Sequence, residues 1–338
     1  MENSQVKIGV IGTGGMGYQH ALNVNQFSFG RVVAIADADK TRMEKASKAL
    51  RNPKCYLDPK ELIADPNVDA IIIASPDATH AEYVFKALDY KKPVLCEKPL
   101  ASTLQEAIDI MEKEVSLNKI LVSVGFQRRF DPVHLAIKES IEEEKMGKPL
   151  LWKGVHRNPE AMYGTDGDFI LNNSAGHDVD SARWLLGSSV KSVYTWGSKT
   201  REELPETARD LLFMNMEMEN GTHAVAEIFV NARYGYEVEL DLICQNGVVS
   251  SIPNHKVTVR FQNNEGSFAT SDFRGYFAEG YKLELEQWLI SLLEGTSFQG
   301  ANAWDGYCAM VTTITAGESL AKGIPLPVKT IPKPSLYK

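Results

Sequence analysis

A glycine-rich segment between two apolar runs constrains this chain more than any other feature. The strand-like run VKIGVI at residues 6–11 leads into GTGGMG at residues 12–17, and a second apolar run at residues 31–36 ends at Asp37. The spacing fits GxGxxG, where the first glycine makes a tight turn, the second admits a pyrophosphate and the third lets a helix pack closely on a strand. A dinucleotide site with its phosphates at the start of this helix is therefore predicted, and its candidate residues here are Gly12, Thr13, Gly14, Met16 and Gly17.

Asp37 indicates which dinucleotide binds. It lies 20 residues after Gly17, and a carboxylate at the end of the second strand accepts hydrogen bonds from both ribose hydroxyls of NAD but repels a 2′-phosphate. NAD is therefore expected rather than NADP, and Lys40 and Arg42 are the nearby cations that could offset the carboxylate. Asp39 directly precedes a helical run, so we expect it to cap that helix.

Composition excludes several classes of protein. The 338 residues carry a net charge of −8 without a cluster of Lys or Arg, which argues against a nucleic-acid surface. The apolar runs are too short to cross a membrane, and residues 1–4 lack the basic start of a signal peptide. Cys55, Cys96, Cys244 and Cys308 are widely spaced without a zinc-binding pattern, so we expect reduced thiols in a cytoplasmic protein of two domains.

Strands and helices alternate over the first part of the chain. Continuous apolar strands joined by helical crossovers predict a doubly wound parallel sheet covered on both faces, a Rossmann domain, over residues 1–124. Beyond the two strands above, the expected elements are strands at Tyr56, 70–74, 93–96 and 120–124 and helices over 79–89 and from Thr103, the last with Ser102 and Gln105 as a capping box.

The pattern changes after Gly125. Period-two segments with hairpin signals run over 214–230, turning at Asn220-Gly221, and over 237–252, turning at Asn246-Gly247. These segments predict an α+β domain over residues 125–338, with an open, mostly antiparallel sheet and helices on one side. An uncovered apolar sheet face usually finds a partner, so we expect a homo-oligomer. The helices of this domain are expected over 132–144, 176–186, 277–294 and 305–322.

Further stretches carry a resemblance to a known family. Together with GTGGMG, the stretches CEKPLA at 96–101, GFQRRFD at 125–131 and a later His before an acid at 177–178 resemble the Gfo/Idh/MocA oxidoreductases. HRNP at 156–159, YGYE at 234–237 and AWDGY at 303–307 are most similar to the inositol dehydrogenase branch. The resemblance covers nearly the whole chain. It implies a Rossmann domain with an open-sheet domain, dimers or tetramers, and oxidation of a ring hydroxyl of a cyclitol or sugar with NAD or NADP.

Lys98 is the first catalytic candidate. It follows an apolar strand at its carboxyl end, where open α/β sheets bind their ligands, and Pro99 restricts the backbone beside it. The resemblance implies that Lys98 contacts the reacting hydroxyl and the cofactor, and that Glu97 lies along the ribose or nicotinamide side of the cofactor. To act as a base near neutral pH, the amine needs a pKa lowered from about 10.4 to roughly 7 or 8, which burial beside a cationic nicotinamide favours.

His177 is the second catalytic candidate. Residues 173–177 fall where the resemblance implies Asp-x-x-x-His, and helical residues four apart share a face, so Asn173 and His177 can reach one ligand. His177 could take the hydroxyl proton itself, or bind a neighbouring hydroxyl while Lys98 takes it. Asn173 stands where the resemblance implies Asp. Since its amide supplies no negative charge, we expect a weaker base at His177 and more proton transfer to Lys98. The same change argues against myo-inositol as the natural substrate and leaves the inositol isomer or sugar open.

Other residues are expected at the cofactor and substrate sites. Ser75 and His80 follow the fourth strand and are assigned to the cofactor, with a helix cap as the alternative role of His80. Of the two arginines that follow Gln127, we assign Arg128 to the interdomain cleft and its neighbour to a structural carboxylate. Asn158 and Tyr236 are substrate candidates, with a turn and core packing as their respective alternatives.

These assignments predict a dehydrogenase. A hydride goes to nicotinamide C4 and the hydroxyl proton goes to Lys98 or His177, without a metal, because an ammonium stands where oxyanion charge develops. Two alternatives remain: an NAD-dependent glycosidase that works by transient oxidation, and a non-catalytic protein that senses dinucleotide or sugar. Retention of both Lys98 and His177 disfavours the sensor, and net NADH formation with free polyols would exclude the glycosidase.

Overall fold

The chain divides into two compact units, each discontinuous in sequence. The computed structural model describes residues 5–143, 145–161, 164–251, 258–261, 264–267 and 270–338. The first unit contains the chain up to Phe130 together with Gly280–Tyr307 and Ile331–Lys338, and the second contains Asp131–Glu279 and Cys308–Thr330. The observed division differs from the predicted one, which had a single boundary after residue 124. The reason is that two segments near the carboxyl terminus return to the first unit.

A six-stranded parallel sheet forms the centre of the first unit. Its order is β3-β2-β1-β4-β5-β6, so the direction of winding reverses between β1 and β4, as in a doubly wound fold. Ile8, Ile72 and Leu95 are almost completely buried, as expected for strands covered on both faces. The bounds are β1 (Val6–Ile11), β2 (Gly30–Ala36), β3 (Lys54–Tyr56), β4 (Ala70–Ile73), β5 (Val94–Cys96) and β6 (Val122–Val124).

The helices of this unit follow the predicted alternation with two differences. A short helix after Asp58 was not predicted; Pro59 opens it and the Asp58 carboxylate caps it. The capping box of α5 uses Thr103 and Glu106 rather than Ser102 and Gln105, because both hydroxyl residues can cap and only the backbone turn selects one. The bounds are α1 (Gly15–Val24), α2 (Lys40–Ala49), α3 (Pro59–Ala64), α4 (His80–Asp89) and α5 (Leu104–Leu117).

A seven-stranded mixed sheet forms the second unit. Its order is β12-β11-β7-β10-β9-β8-β15, and every neighbouring pair is antiparallel except β7 with β10. A separate two-stranded ribbon consists of β13 and β14. The bounds are β7 (Pro149–Arg157), β8 (Val190–Ser198), β9 (Leu211–Met218), β10 (His223–Phe229), β11 (Glu237–Cys244), β12 (Gly247–Ser250), β13 (Thr258–Phe261), β14 (Asn264–Ser267) and β15 (Leu326–Pro327).

Both predicted hairpins are present. In the first, Gly221 has a φ of +84°, which explains a glycine in the turn. In the second, Cys244 pairs with Gly247, so the turn lies one residue earlier than expected; the end of that prediction, residue 252, lies outside the described residues.

Four of the helices that begin after residue 130 match the predicted stretches closely, and two short helices, α7 and α9, were not predicted. The bounds are α6 (Pro132–Glu142), α7 (Gly167–Ile170), α8 (Gly176–Leu186), α9 (Phe273–Tyr276), α10 (Ala278–Glu294) and α11 (Ala303–Lys322). The first was expected to reach residue 144, which lies outside the described residues. In the parts of the chain that the structure describes, no helix is both long and apolar enough to cross a membrane.

The two faces of the seven-stranded sheet differ in burial. Along β9 and β11 every second residue is buried and the alternate residues are only partly covered. On the partly covered face, the ring of Trp196 lies 5.5 Å from that of Tyr194 and 5.3 Å from that of Phe213. Trp196 keeps 41% of its surface exposed. The sheet is therefore open on one side, as predicted.

Candidate active site

The three glycines of the GxGxxG spacing, Gly12, Gly14 and Gly17, have different surroundings. Gly12 has a φ of +87°, and a Cβ there would lie 2.5 Å from the main-chain oxygen of Ala74. A Cβ on Gly17 would lie 1.9 Å from the Gly12 oxygen, whereas one on Gly14 would have only Arg42 Nη1, at 3.9 Å, within contact distance. The fold itself therefore requires two of the glycines, and the third leaves open space at the amino terminus of α1. That space suits a pyrophosphate, as NAD binding requires.

Asp37 lies at the end of β2 and is held by the glycine segment. The N–H and the hydroxyl of Thr13 donate to Asp37 Oδ2 at 2.7 and 2.8 Å, and the N–H of Asp39 donates to Oδ1 at 2.9 Å. Burial by itself raises the pKa of the Asp37 carboxyl, but these donors hold that pKa below its ordinary value. Asp37 is therefore an ionised acceptor with most of its capacity used within the protein. Asp39 caps α2, as predicted.

Arg42 is the cation nearest to this carboxylate among the described residues. Its Nη1 lies 3.7 Å from Asp37 Oδ2, and its Nη2 lies 3.5 Å from Asp39 Oδ2. Half of the Arg42 side chain is exposed, so the ion pairs are screened by solvent. Arg42 therefore only partly offsets the negative charge that favours NAD.

Lys98 and Glu97 follow β5 at the carboxyl edge of the parallel sheet. Both side chains are half-buried, and His20 Nε2 on α1 lies 2.6 Å from Glu97 Oε1. Burial lowers the pKa of the Lys98 amine, although Glu97 and Asp77 act in the opposite direction. Burial alone raises the pKa of Glu97, but His20, Lys98 and His80 together hold that pKa below its ordinary value. A lysine with this depressed pKa can serve as a general base.

Ser75 and His80 lie at the same edge, after β4. The Ser75 hydroxyl lies 2.7 Å from the hydroxyl of Thr79. His80 does not cap α4: its Nδ1 lies 2.7 Å from the Pro99 oxygen and its Nε2 lies 2.9 Å from the Ser75 oxygen. Since both ring nitrogens contact main-chain oxygens, His80 supports this edge and offers the cofactor no polar atom.

In the second unit, the structure brings together three residues that are far apart in sequence. His156 on β7 lies with Nδ1 2.9 Å from Asp178 Oδ2 on α8, and the Tyr236 hydroxyl lies 3.3 Å from His156 Nε2. All three are buried. Tyr236 was predicted as a substrate residue, while His156 and Asp178 were not predicted. One signal was available, because the alternation of β7 places His156 on the same face as buried Trp152, where an imidazole needs a partner.

Asn173 and His177 flank the start of α8. Asn173 belongs to a π-helical turn over Leu171–Ala175, and His177 is the second residue of α8, directly before Asp178. Both residues have polar or electrostatic contacts in the structure. Asn158 follows β7, and its main-chain N–H and oxygen bond to the Phe229 oxygen and the Ala232 N–H. Its backbone is therefore tied to the end of β10 and the segment after it, and its role in substrate binding remains a prediction.

The two adjacent arginines have separate roles. Arg129 Nη2 lies 3.2 Å from Asp305 Oδ2, with both side chains largely buried, so Arg129 meets a structural carboxylate as predicted. Arg128 is 2% exposed and also has contacts within the structure. Its predicted role in substrate binding remains a prediction.

Comparisons with known proteins extend these observations over both units. The profile described as "Oxidoreductase family, NAD-binding Rossmann fold" matches residues 6–126, and the GFO/IDH/MocA C-terminal domain matches residues 134–250. The chain belongs to the Gfo/Idh/MocA oxidoreductase family. Its sequence is 36% identical to an inositol 2-dehydrogenase of Rubrobacter xylanophilus, over 100% of this chain and 97% of that protein. An inositol 2-dehydrogenase of Saccharopolyspora erythraea is also 36% identical, over 98% of each chain.

A solved Gfo/Idh/MocA relative matches in three dimensions as well. The myo-inositol dehydrogenase of Lactobacillus casei, crystallised with NAD(H) and myo-inositol, superimposes with a TM-score of 0.93 at 30% identity, over 99% of this chain and 100% of that one. This Gfo/Idh/MocA chain is therefore an NAD-dependent oxidoreductase with the predicted fold class. Among its described residues, no group of His, Cys, Asp or Glu side chains could hold a metal ion.

Proposed function

We propose that this enzyme oxidises a ring hydroxyl of a cyclitol, or of a related sugar, to the ketone with NAD. The observation that carries the proposal is Lys98, a half-buried amine of lowered pKa at the carboxyl end of β5. β5 belongs to the same parallel sheet as β1, and the turn that follows β1 contains Gly14 and its open space. The substrate class is supported by the inositol dehydrogenases that match this chain along its whole length.

NAD, when bound, supplies a nicotinamide C4 that accepts a hydride. We assign its pyrophosphate to the main chain at Gly14 and a ribose hydroxyl to Asp37, whose Oδ1 accepts only one of the hydrogen bonds described above. Thr13 orients the Asp37 carboxylate, and Met16 is assigned to the same turn. These groups hold the dinucleotide without taking part in proton transfer.

The chain's own contribution to the chemistry is the removal of a proton. We assign the hydroxyl proton to Lys98 Nζ, because burial makes the free amine accessible at a lower pH than in water. The resulting ammonium stabilises negative charge that develops on the substrate oxygen. His177 serves the same reaction, either by accepting that proton in place of Lys98 or by binding a neighbouring hydroxyl.

The substrate contacts are assigned to residues of the second unit and to Arg128. Asn158, Asn173 and His177 donate to or accept from ring hydroxyls. Tyr236 is assigned a supporting role, because its hydroxyl is directed at buried His156. Asn173, in place of the Asp that the family resemblance implies, favours a cyclitol other than myo-inositol.

We also propose that the enzyme assembles as a dimer or tetramer through the open face of the seven-stranded sheet. The support is the row of Tyr194, Trp196 and Phe213, three aromatic rings in contact on a partly exposed surface. The cytoplasm is the proposed location, because all four cysteines are free thiols.

An absorbance assay at the NADH band tests the proposal. Purified enzyme is incubated with myo-, scyllo- and chiro-inositol and common aldoses, with NAD and NADP in parallel. We expect NADH formation with at least one cyclitol and a preference for NAD. No NADH with any polyol, together with leaving-group release from a chromogenic glycoside, would instead support the glycosidase; binding of NAD without turnover of either kind would support the sensor.

A further inference from the structure

His80 joins two loops at the carboxyl edge of the parallel sheet. Its ring is 1% exposed and lies between the Pro99 oxygen at 2.7 Å and the Ser75 oxygen at 2.9 Å. Ser75 lies in the loop after β4. Pro99 lies in the loop after β5 and is the residue directly after Lys98. One imidazole thus holds the main chain at the ends of two adjacent strands.

The geometry determines the charge of this ring. A carbonyl oxygen can only accept a hydrogen bond, so both His80 nitrogens must donate, and only the imidazolium has two N–H donors. A neutral ring would direct a nitrogen lone pair at a carbonyl oxygen. Burial by itself lowers the pKa of His80, but its interaction with Cys96 and the two carbonyl oxygens raise that pKa to about 10.

The titratable groups near the ring belong to two segments, residues 96–98 and the turn before α4. Cys96, at the end of β5, interacts with His80 directly, and Glu97, just after that strand, is stabilised as a carboxylate partly by the His80 charge. Lys98 follows next, and Asp77, in the turn before α4, interacts with Lys98. His80 therefore places a fixed positive charge in a cluster that contains the proposed base.

We infer that His80 is a positioning residue for Lys98, acting as a permanently protonated clamp. It holds the carbonyl of Pro99, and with it the main chain that carries the lysine. By holding the Lys98 amine in its half-buried position, the clamp also preserves the burial that lowers the pKa of that amine. The inference rests on the proposed role of Lys98 as the base of the reaction.

Nitrogen NMR of the protein labelled with nitrogen-15 histidine measures the charge of the clamp. The variant His80→Gln assigns the His80 signals by their disappearance. We expect both ring nitrogens of His80 to carry protons up to about pH 8, well above the ordinary His pKa of about 6.5. A neutral tautomer at that pH would overturn the inference, whether or not the enzyme is active.

Kinetics of His80→Gln test the effect on Lys98, with His134→Gln as the matched control. His134 is also buried, but it contacts the Asp131 carboxylate in the second unit. For His80→Gln we expect kcat to fall about tenfold or more, since small displacements of a reacting group are costly. We also expect the acid limb of the kcat profile to move to higher pH while NAD affinity is retained. In His134→Gln that limb stays in place.

The outcomes separate this inference from the proposed function. A wild-type enzyme that oxidises no polyol contradicts the proposed function and, with it, the role of Lys98 on which the inference rests. An active wild-type enzyme whose acid limb is unchanged in His80→Gln overturns the clamp alone. If His80→Gln does not fold, replacing the other six histidines one at a time assigns the His80 signals by elimination. A neutral His80 in the wild-type spectrum then overturns the inference, and a doubly protonated ring supports it.

Discussion

His20 Nε2 lies 2.6 Å from Glu97 Oε1 and ties α1, the helix that begins after Gly14, to the residue directly before Lys98. His20 is 1% exposed, and its ring packs edge-on against Tyr281 with centroids 5.8 Å apart. The second oxygen of Glu97 would lie 3.1 Å from a Cβ on Gly125, so only a glycine leaves this carboxylate its position without crowding. The expected cofactor-binding turn and the expected base are thus connected within the first unit.

Replacing His20 by Leu removes the partner of the half-buried Glu97 carboxylate. We expect the free energy of unfolding to fall by about 1–3 kcal/mol at neutral pH. The pKa of Glu97 is lowered in the folded state, so the stabilisation is full above its ordinary value of 4.5 and is lost as pH falls through the lower folded value. The difference in the free energy of unfolding between wild type and His20→Leu should therefore become smaller as the pH is lowered.

Urea unfolding over a pH series measures this difference. The control is Glu97→Gln in both backgrounds, because without a carboxylate the loss of His20 should cost less and vary little with pH. An equal cost of His20→Leu in both backgrounds would show that the pair is not its source.

Two glycine substitutions should separate folding from cofactor binding. In Gly14→Ala the added Cβ has only Arg42 Nη1, at 3.9 Å, within contact distance, so the variant should fold normally. Its methyl group enters the space assigned to the pyrophosphate and should therefore weaken NAD binding. Gly17→Ala places Cβ 1.9 Å from the Gly12 oxygen and should destabilise the first unit. Thermal unfolding and NAD titration of each variant check this. Equal NAD affinity in Gly14→Ala and wild type would contradict the assignment of the pyrophosphate to the main chain at Gly14.

Lys98→Ala should lower kcat by about 10²- to 10⁴-fold, the usual contribution of a general base. The wild-type profile should rise with pH through an apparent pKa below that of an ordinary lysine, because burial lowers the pKa of Lys98. Steady-state kinetics and NAD binding are measured together, with Lys98→Arg as the control that keeps the charge but cannot act as the base. Retention of the oxidation rate in Lys98→Ala would refute the proposed mechanism.

Asn173→Asp restores the residue that the family resemblance implies. The added carboxylate should stabilise a protonated His177, raise its pKa and shift the pH profile of turnover or the preference among cyclitols. Kinetics on a panel of inositol isomers and aldoses at several pH values measure the effect. Identical profiles for both proteins would remove Asn173 from the site.

Trp196→Lys places a charge at the centre of the aromatic row on the open sheet. If that face is the subunit interface, the variant should dissociate into smaller species while its monomer fold is kept. Light scattering gives the mass, and far-ultraviolet circular dichroism controls for folding. Lys45→Glu, a charge change at an exposed residue of α2 outside this sheet, serves as the comparison. A monomeric wild type would contradict the proposed assembly.

Local patterns were sufficient for the architecture of both units. The apolar runs of β1 and β4, the glycine spacing at residues 12–17 and the Asp39 cap are short-range features, and each formed the element that was predicted. Hairpin and cap positions moved by one residue, as at Thr103, because neighbouring residues with similar propensities compete and tertiary packing selects one.

The supports of the candidate site could not be derived in the same way. His20 meets Glu97 across 77 positions, His80 meets the Pro99 oxygen across 19, and His156 meets Asp178 across 22. No sequence spacing encodes such pairs, since they depend on how strands and helices are brought together.

The chain's own sequence thus determined the fold class and the dinucleotide turn and made Lys98 the candidate base, because periodicity and turn chemistry act over a few residues. Only the tertiary structure decided which histidines hold that lysine's neighbours and which carboxylates are already bonded within the protein. The reason is that buried polar groups must find partners wherever the fold places them.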